Sequence, residues 1–129
     1  MAINASLIIM SKQWTLKKRA QYQKVYGLGV AKGDRLVIIK SLANNLEFSR
    51  YGFSVNKPVG KAAVRNRVRR LLKEIVRSTP IKKGWDIVFI ARQGAVDADY
   101  HQLKRSVERL LIRADLLLNK NEAFSTGVN

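Results

Sequence analysis

Residues Val59–Glu74 read VGKAAVRNRVRRLLKE, with six Lys and Arg in its interior and a single acid at its end. Placed on a helical wheel, Val64, Val68, Leu71, Leu72 and Ile75 fall within an arc of roughly 100°, the width of a core-facing stripe. Arg65, Asn66, Arg69, Arg70, Lys73 and Arg77 fall within an arc of roughly 140° elsewhere, and Arg67 stands apart on the other edge of the stripe. The stretch therefore predicts an amphipathic helix over Lys61–Ser78, stopped by Thr79-Pro80, with one side for a core and a broad basic side. A charged helix face is ordinarily just solvated, but such faces mix signs because i,i+4 ion pairs stabilise them. Here no acid occurs between Lys57 and Lys73. Arg predominates over Lys, and Arg is the better bidentate partner for phosphate. Gly60 leaves backbone N–H groups open at the helix start, where anions bind. The stretch asks for a polyanion.

Working outward, Phe48–Val55 alternates, with Tyr51, Phe53 and Val55 on one face and Arg50, Gly52 and Ser54 on the other. Pro58 and Gly60 separate that strand from the basic helix. Beyond the helix, Lys83-Gly84 is a turn and Trp85–Ala91 (WDIVFIA) is a continuous apolar run suited to a buried strand. Asp97 or Asp99 can cap a last helix to about Leu118, whose stripe is Leu103, Val107, Leu110, Leu111, Ala114 and Leu118. Toward the N-terminus, Tyr22, Val25 and Tyr26 place a first helix over Lys17–Tyr26, ended by Gly27 and Gly29. Lys32-Gly33-Asp34 is a turn, Arg35–Ser41 (RLVIIKS) a strand, Asn44-Asn45 another turn, and a short extra strand lies near Val30. The expected architecture is α+β: a small mixed sheet of about four strands packed with three helices, in the order α-β-β-β-α-β-α. Residues 14–118 form one domain, with flexible extensions at 1–13 and 119–129.

The 129 residues carry 25 Lys+Arg against 9 Asp+Glu, a formal charge of +16. Self-repulsion of this size in a small domain points to a polyanionic partner, with nucleic acid foremost and an anionic membrane surface behind it. The absence of cysteine excludes disulfides and thiolate metal sites, and the single His101 excludes a two-histidine centre. No apolar run approaches membrane-spanning length, and MAINASLIIM lacks the basic residues of a signal peptide, so a cytoplasmic protein without a membrane partner is expected. The acids are scattered, whereas two-metal phosphodiester chemistry needs clustered carboxylates. Asp97 and Asp99 are the one close pair, and helix capping explains them. His101 is expected at the surface, Trp85 at a strand edge and Trp14 more exposed than Trp85.

Tyr22 and Tyr26 lie one helical turn apart. Such pairs are most often core; the alternative is a platform on which unpaired bases stack. Leu36, Ile38 and Lys40 share one face of their strand. If that face meets the two tyrosines, a shallow groove with a basic rim results. Composition and pattern leave open a basic RNA-binding module of the ribosomal-protein kind with no role in cleavage. A stand-alone nuclease lacks its carboxylates.

Lys57–Glu74 (KPVGKAAVRNRVRRLLKE) resembles the RNR signature of the bacterial ribonuclease P protein subunit. KKRAQYQKVYGLG resembles that family's first helix, and FSVNK and WDIVFIAR its flanking strands; the resemblance spans roughly Leu16–Leu118. It implies a protein subunit that binds a catalytic RNA and the 5′ leader of precursor tRNA, assisting Mg²⁺-dependent endonucleolytic removal of the leader. Catalysis then lies in the RNA. The protein alone is inactive, binds no cofactor tightly, requires no protein partner, and leaves Mg²⁺ to the holoenzyme. By position, Lys57, Lys61, Arg65, Asn66, Arg67, Arg69, Arg70 and Lys73 would contact the RNA subunit. Tyr22, Tyr26, Leu36, Ile38, Lys40, Asn66 and Arg69 would form the leader cleft. Lys40 stands where some members carry an aromatic. The resemblance also implies a left-handed β-α-β crossover through the basic helix, against the general right-handed rule.

Overall fold

The computed structural model describes residues 14–118. The expected extensions, 1–13 and 119–129, lie outside the described residues. Helix α1 is Arg19–Leu28, followed by strands β1 (Val30–Gly33), β2 (Val37–Ala43) and β3 (Arg50–Ser54). Helix α2 is Ala62–Arg77, β4 is Trp85–Ala91 and α3 is Tyr100–Arg113, with short 3₁₀ turns at Lys57–Val59 and Gln93–Asp97. The strands form one mixed sheet in the order β1-β2-β4-β3. β1–β2 and β2–β4 are antiparallel, while β3 and β4 run parallel and are joined by α2. This is the α+β arrangement of three helices and four strands that the pattern predicts. Among the described residues, no helix is long and apolar enough to cross a membrane.

Alternation sorts the strands into two faces. Val37, Ile39, Tyr51, Phe53, Ile87 and Phe89 face α2 and α3, where they meet Val68, Leu72, Ile75, Leu103, Val107, Leu110 and Leu111 in the main core. Each fully buried aliphatic or Phe there is worth about 1.5–3 kcal/mol of transfer free energy. α1 sits on the opposite face, where Leu16, Val25 and Val88 form a smaller cluster flanked by Tyr22, Leu42 and Ile90. One ten-residue helix covers only part of that face, and Ile38, Lys40, Ser54 and Ile90 stay partly exposed on the rest of it.

Three local expectations are corrected, and one open alternative, the cap of α3, is resolved. Gly27 lies inside α1, which ends at Gly29, whose N–H bonds the Val25 carbonyl at 2.8 Å. β2 starts at Val37 because the Asp34 carboxylate accepts from the Leu36 and Val37 N–H groups at 2.9 and 3.0 Å, holding a turn there. Leu36 thus escapes the alternation and packs in the main core. Of the two candidate caps, Asp99 serves: its carboxylate accepts from Gln102 N–H at 2.8 Å while Gln102 Oε1 accepts from Asp99 N–H at 2.9 Å. α3 stops at Arg113, and Asp115 takes a left-handed φ of 60°. That reversal buries Leu116 and leaves Leu118 at the surface.

Candidate nucleic-acid interface

α2 presents its cations as the wheel requires. Lys61 precedes the helix without a side-chain cap, and its first turn holds no acid, so the N-terminal N–H groups face outward unneutralised. Gly60 makes this entry possible: its φ of 150° is costly for any residue with a Cβ, which would also press on Val64 at 3.2 Å. Farther along, Asn66, Arg69, Arg70, Lys73, Glu74 and Arg77 line a shallow concavity of about 430 Å³. Arg69 Nη1 donates to Asn66 Oδ1 at 3.0 Å, tying these two side chains into one unit. Arg65 Nη1 donates to the Gly60 carbonyl at 2.8 Å. Carbonyl anchoring holds a guanidinium without neutralising it. Among the described residues, no salt bridge involves Arg65, Arg67, Arg69, Arg70, Lys73 or Arg77. Lys57 and Lys61 are exposed at the same end of α2.

Arg67 points elsewhere, as its place on the wheel indicates. Its Nη2 donates to the Val96 carbonyl at 2.7 Å and Nη1 approaches the Ala98 carbonyl at 3.5 Å. The side chain clamps the 3₁₀ turn before α3 onto α2.

The groove lies on the other face of the sheet. The Tyr22 and Tyr26 rings are 6.3 Å apart and inclined at 48°. Tyr22 is half-buried, and Tyr26 is 38% exposed. Lys40 lies with Nζ 5.4 Å from the Tyr26 ring centroid and donates to the Tyr26 carbonyl at 3.3 Å. Burial pushes the Tyr22 hydroxyl above the ordinary tyrosine range, opposed by the Phe53 backbone and the Arg69 guanidinium. The Arg69 guanidinium of α2 thus bears electrostatically on the aromatic pair of α1.

Of the residues expected in the groove, Tyr22, Tyr26, Ile38 and Lys40 are half-buried or exposed on the α1 face of the sheet, and Asn66 and Arg69 are so on α2. Leu36 is not: at 8% exposure it belongs to the main core on the opposite face. Sequence reasoning passed over two half-buried residues on this face: Ile90 pairs with Ile38 on one side and Ser54 on the other, while Gly52, paired with Val88, is buried. In the run WDIVFIA the single polar residue, Asp86, shares its parity with Val88 and Ile90, too thin an alternation to mark Ile90 as facing away from the main core. The parity of β3 does place Gly52 and Ser54 opposite Tyr51, and that signal was available.

Several other polar residues are committed to structure. Asp86 holds Arg50 through two bonds and Asn44 through a third. Asp34 holds its turn and accepts from Ser106 Oγ at 2.6 Å, and Asp115 pairs with Lys82 at 3.0 Å. His101 is exposed, edge-on to Tyr100. Trp14, expected to be more exposed than Trp85, is half-buried like it, packs on the main core and lies 4.8 Å from the Phe48 ring. Trp85 opens the central strand of the sheet, not an edge. Among the described residues, no three His, Cys, Asp or Glu side chains are grouped to hold a metal.

A four-stranded mixed sheet, a cationic crossover helix on one face and an aromatic pair on the other define a small basic α+β protein. The comparisons with known proteins give that class its family. The ribonuclease P family model matches residues 10–115. The ribonuclease P protein components of Thermoanaerobacter sp. (strain X514) and Dehalococcoides mccartyi (strain CBDB1) are 45% and 46% identical over 103 and 110 residues. Those alignments cover 78% and 85% of this chain, and 89% and 92% of the relatives. Among solved structures, a Staphylococcus aureus RNase P protein mutant with defective mRNA degradation activity superposes with a TM-score of 0.77 at 32% identity, covering 87% of this chain and 95% of that one. The Thermotoga maritima RNase P protein gives 0.71 at 28% identity, covering 77% and 96%. The chain belongs to the ribonuclease P protein family, and its role is that of a protein subunit in this endoribonuclease of tRNA processing.

Proposed function

We propose that the α2 face binds the catalytic RNA of ribonuclease P, while the groove grips the single-stranded 5′ leader of precursor tRNA. The observation that supports the reading is the row of cations on α2 without salt-bridge partners among the described residues, whose Arg69 bears electrostatically on the Tyr22–Tyr26 pair. A folded RNA is held by phosphate contacts from Arg65, Arg69, Arg70 and Lys73, with Lys57 and Lys61 at the helix entry. A single strand leaving that surface finds aromatic faces for its bases and Lys40 and Arg69 for its phosphates. Arg67 contributes to this reading chiefly by fixing the helix that carries the others.

The protein's part is to bind, orient and neutralise. The holoenzyme's Mg²⁺ belongs to the RNA in this reading, since Asp34, Asp86, Asp99 and Asp115 are each engaged within the protein and no acid cluster is at hand among the described residues. Neutralising phosphates near the reacting strand lowers the metal concentration the RNA needs, because protein cations and Mg²⁺ screen the same charge.

The test is cleavage of a precursor tRNA at low Mg²⁺ by a bacterial catalytic RNA, with and without the protein. Restored cleavage at the mature 5′ end, with protein alone inactive, is the expected result. Absence of rescue with several catalytic RNAs would leave only a basic RNA binder.

A further inference from the structure

Gly52 occupies the middle of β3, paired with Val88 of the central strand, on the face that carries α1. A strand interior is a poor place for glycine, which loses the most backbone freedom and packs nothing. Backbone conformation does not call for it, because the left-handed glycines of the described residues are Gly60 and Gly84. Space does. A Cβ built on Gly52 would lie 2.7 Å from both Cε1 and the hydroxyl oxygen of Tyr22, and 2.8 Å from its Cζ. The three nearest atoms all belong to that one side chain, so the notch over Gly52 is filled by the end of Tyr22.

We propose that Gly52 is a positioning residue: its missing side chain seats the Tyr22 ring on β3 and thereby sets the ring's distance from Tyr26 and Arg69. The inference rests on the leader-binding reading for its functional consequence, though not for the seat itself. A methyl group at position 52 would meet the far end of a side chain, which yields more easily than backbone. The ring is thus displaced outward, into the space a stacked base needs, while the strand is kept.

Two measurements separate the seat from the leader. The first is NMR titration of ring-labelled tyrosine. Burial raises the Tyr22 hydroxyl above its ordinary range, and Gly52→Ala should bring it back toward that range. An unmoved Tyr22 titration would overturn the seat. The second is equilibrium binding of leader-bearing precursor tRNA and of mature tRNA by the holoenzyme assembled on a bacterial catalytic RNA. Gly52→Ala should weaken the leader-bearing substrate roughly tenfold, the scale of one base stack removed, and leave mature tRNA unchanged. In a Tyr22→Ala background the same substitution should add nothing. Equal losses for both tRNAs, or a full further loss without Tyr22, would overturn the proposal. A displaced Tyr22 with unchanged leader binding would support the seat and refute the leader reading. Should Gly52→Ala alone fail to fold, Gly52→Ala with Tyr22→Ala has room for the methyl. Recovery in the pair would identify Tyr22 as the clash, and failure of both would refute it.

Discussion

Asp86 is 6% exposed, and both of its carboxylate oxygens are bound. Arg50 Nε and Nη2 donate to it at 2.8 and 2.7 Å, and Asn44 Nδ2 at 2.9 Å. The hydrogen bonds to Asp86 hold the Arg50 guanidinium above its usual range despite partial burial. Removing the carboxylate strands that cation on the sheet, so Asp86→Ala should cost about 3–5 kcal/mol. Urea denaturation measures this; a loss under about 1 kcal/mol would mean that Arg50 turns out to water. Tyr51 supplies a second residue-scale test. Burial pushes its hydroxyl to about 12, above the ordinary value near 10. The unfolded chain therefore releases this proton first, and the stability tied to it is intact below about pH 10 and falls as pH rises to about 12. The loss is about 2–3 kcal/mol for a two-unit shift. Tyr51→Phe should flatten the alkaline limb of a stability–pH curve relative to the wild type, and an equally steep limb would contradict the assignment. At this scale the sequence was informative where a residue obeys its element and misleading where a turn intervenes. Leu36 read as a groove residue because two-residue alternation was carried back through positions that Asp34 holds in a turn.

Within α2, arginines two positions apart do different work. Arg65 and Arg69 leave donors free on the outward face, whereas Arg67 holds the carbonyls of Val96 and Ala98. Replacing Arg65 and Arg69 together with Ala should weaken binding to the catalytic RNA and reduce the steepness of its salt dependence, by about 0.7–0.9 for each phosphate left unneutralised. Arg67→Ala should lower thermal stability, with a smaller change in that slope than the double substitution produces. A slope that responds to Arg67 and not to Arg65 and Arg69 would reverse the division. α2 was legible because its apolar positions repeat at helical spacing and Thr79-Pro80 ends it. β4 was legible because a seven-residue apolar run between a Gly turn and a polar pair has few other uses. α3 was overextended because Ala114 and Leu118 continue its stripe. The left-handed φ at Asp115 that ends it carries no strong marker, since glycine or asparagine is the usual sign.

Over the whole molecule, a net charge of +16 makes salt act in opposite directions on folding and on binding. Screening relieves self-repulsion in the free protein, so its melting temperature should rise with added salt, while affinity for RNA should fall over the same range. A melting temperature that drops with salt would show that attractive pairs outweigh the excess of cations. The strand order was not legible, because nothing in the apolar pattern says that β4 inserts between β2 and β3. That insertion governs what a nascent chain can do during synthesis. β2 and β3 emerge early, yet they are joined in the sheet only through a strand that follows the entire basic helix. Until Trp85–Ala91 has left the ribosome, Ile90 is absent from the face beside α1, and without Val88 α1 has no cluster on which to settle. The cationic helix is thus translated before any groove exists, and α2 can meet RNA while the leader site is still missing. Chains truncated near Lys83 and displayed from the ribosome on a linker that spans its exit tunnel should accordingly bind RNA without distinguishing leader-bearing from mature tRNA, and acquire that discrimination only once truncation falls well beyond Ala91.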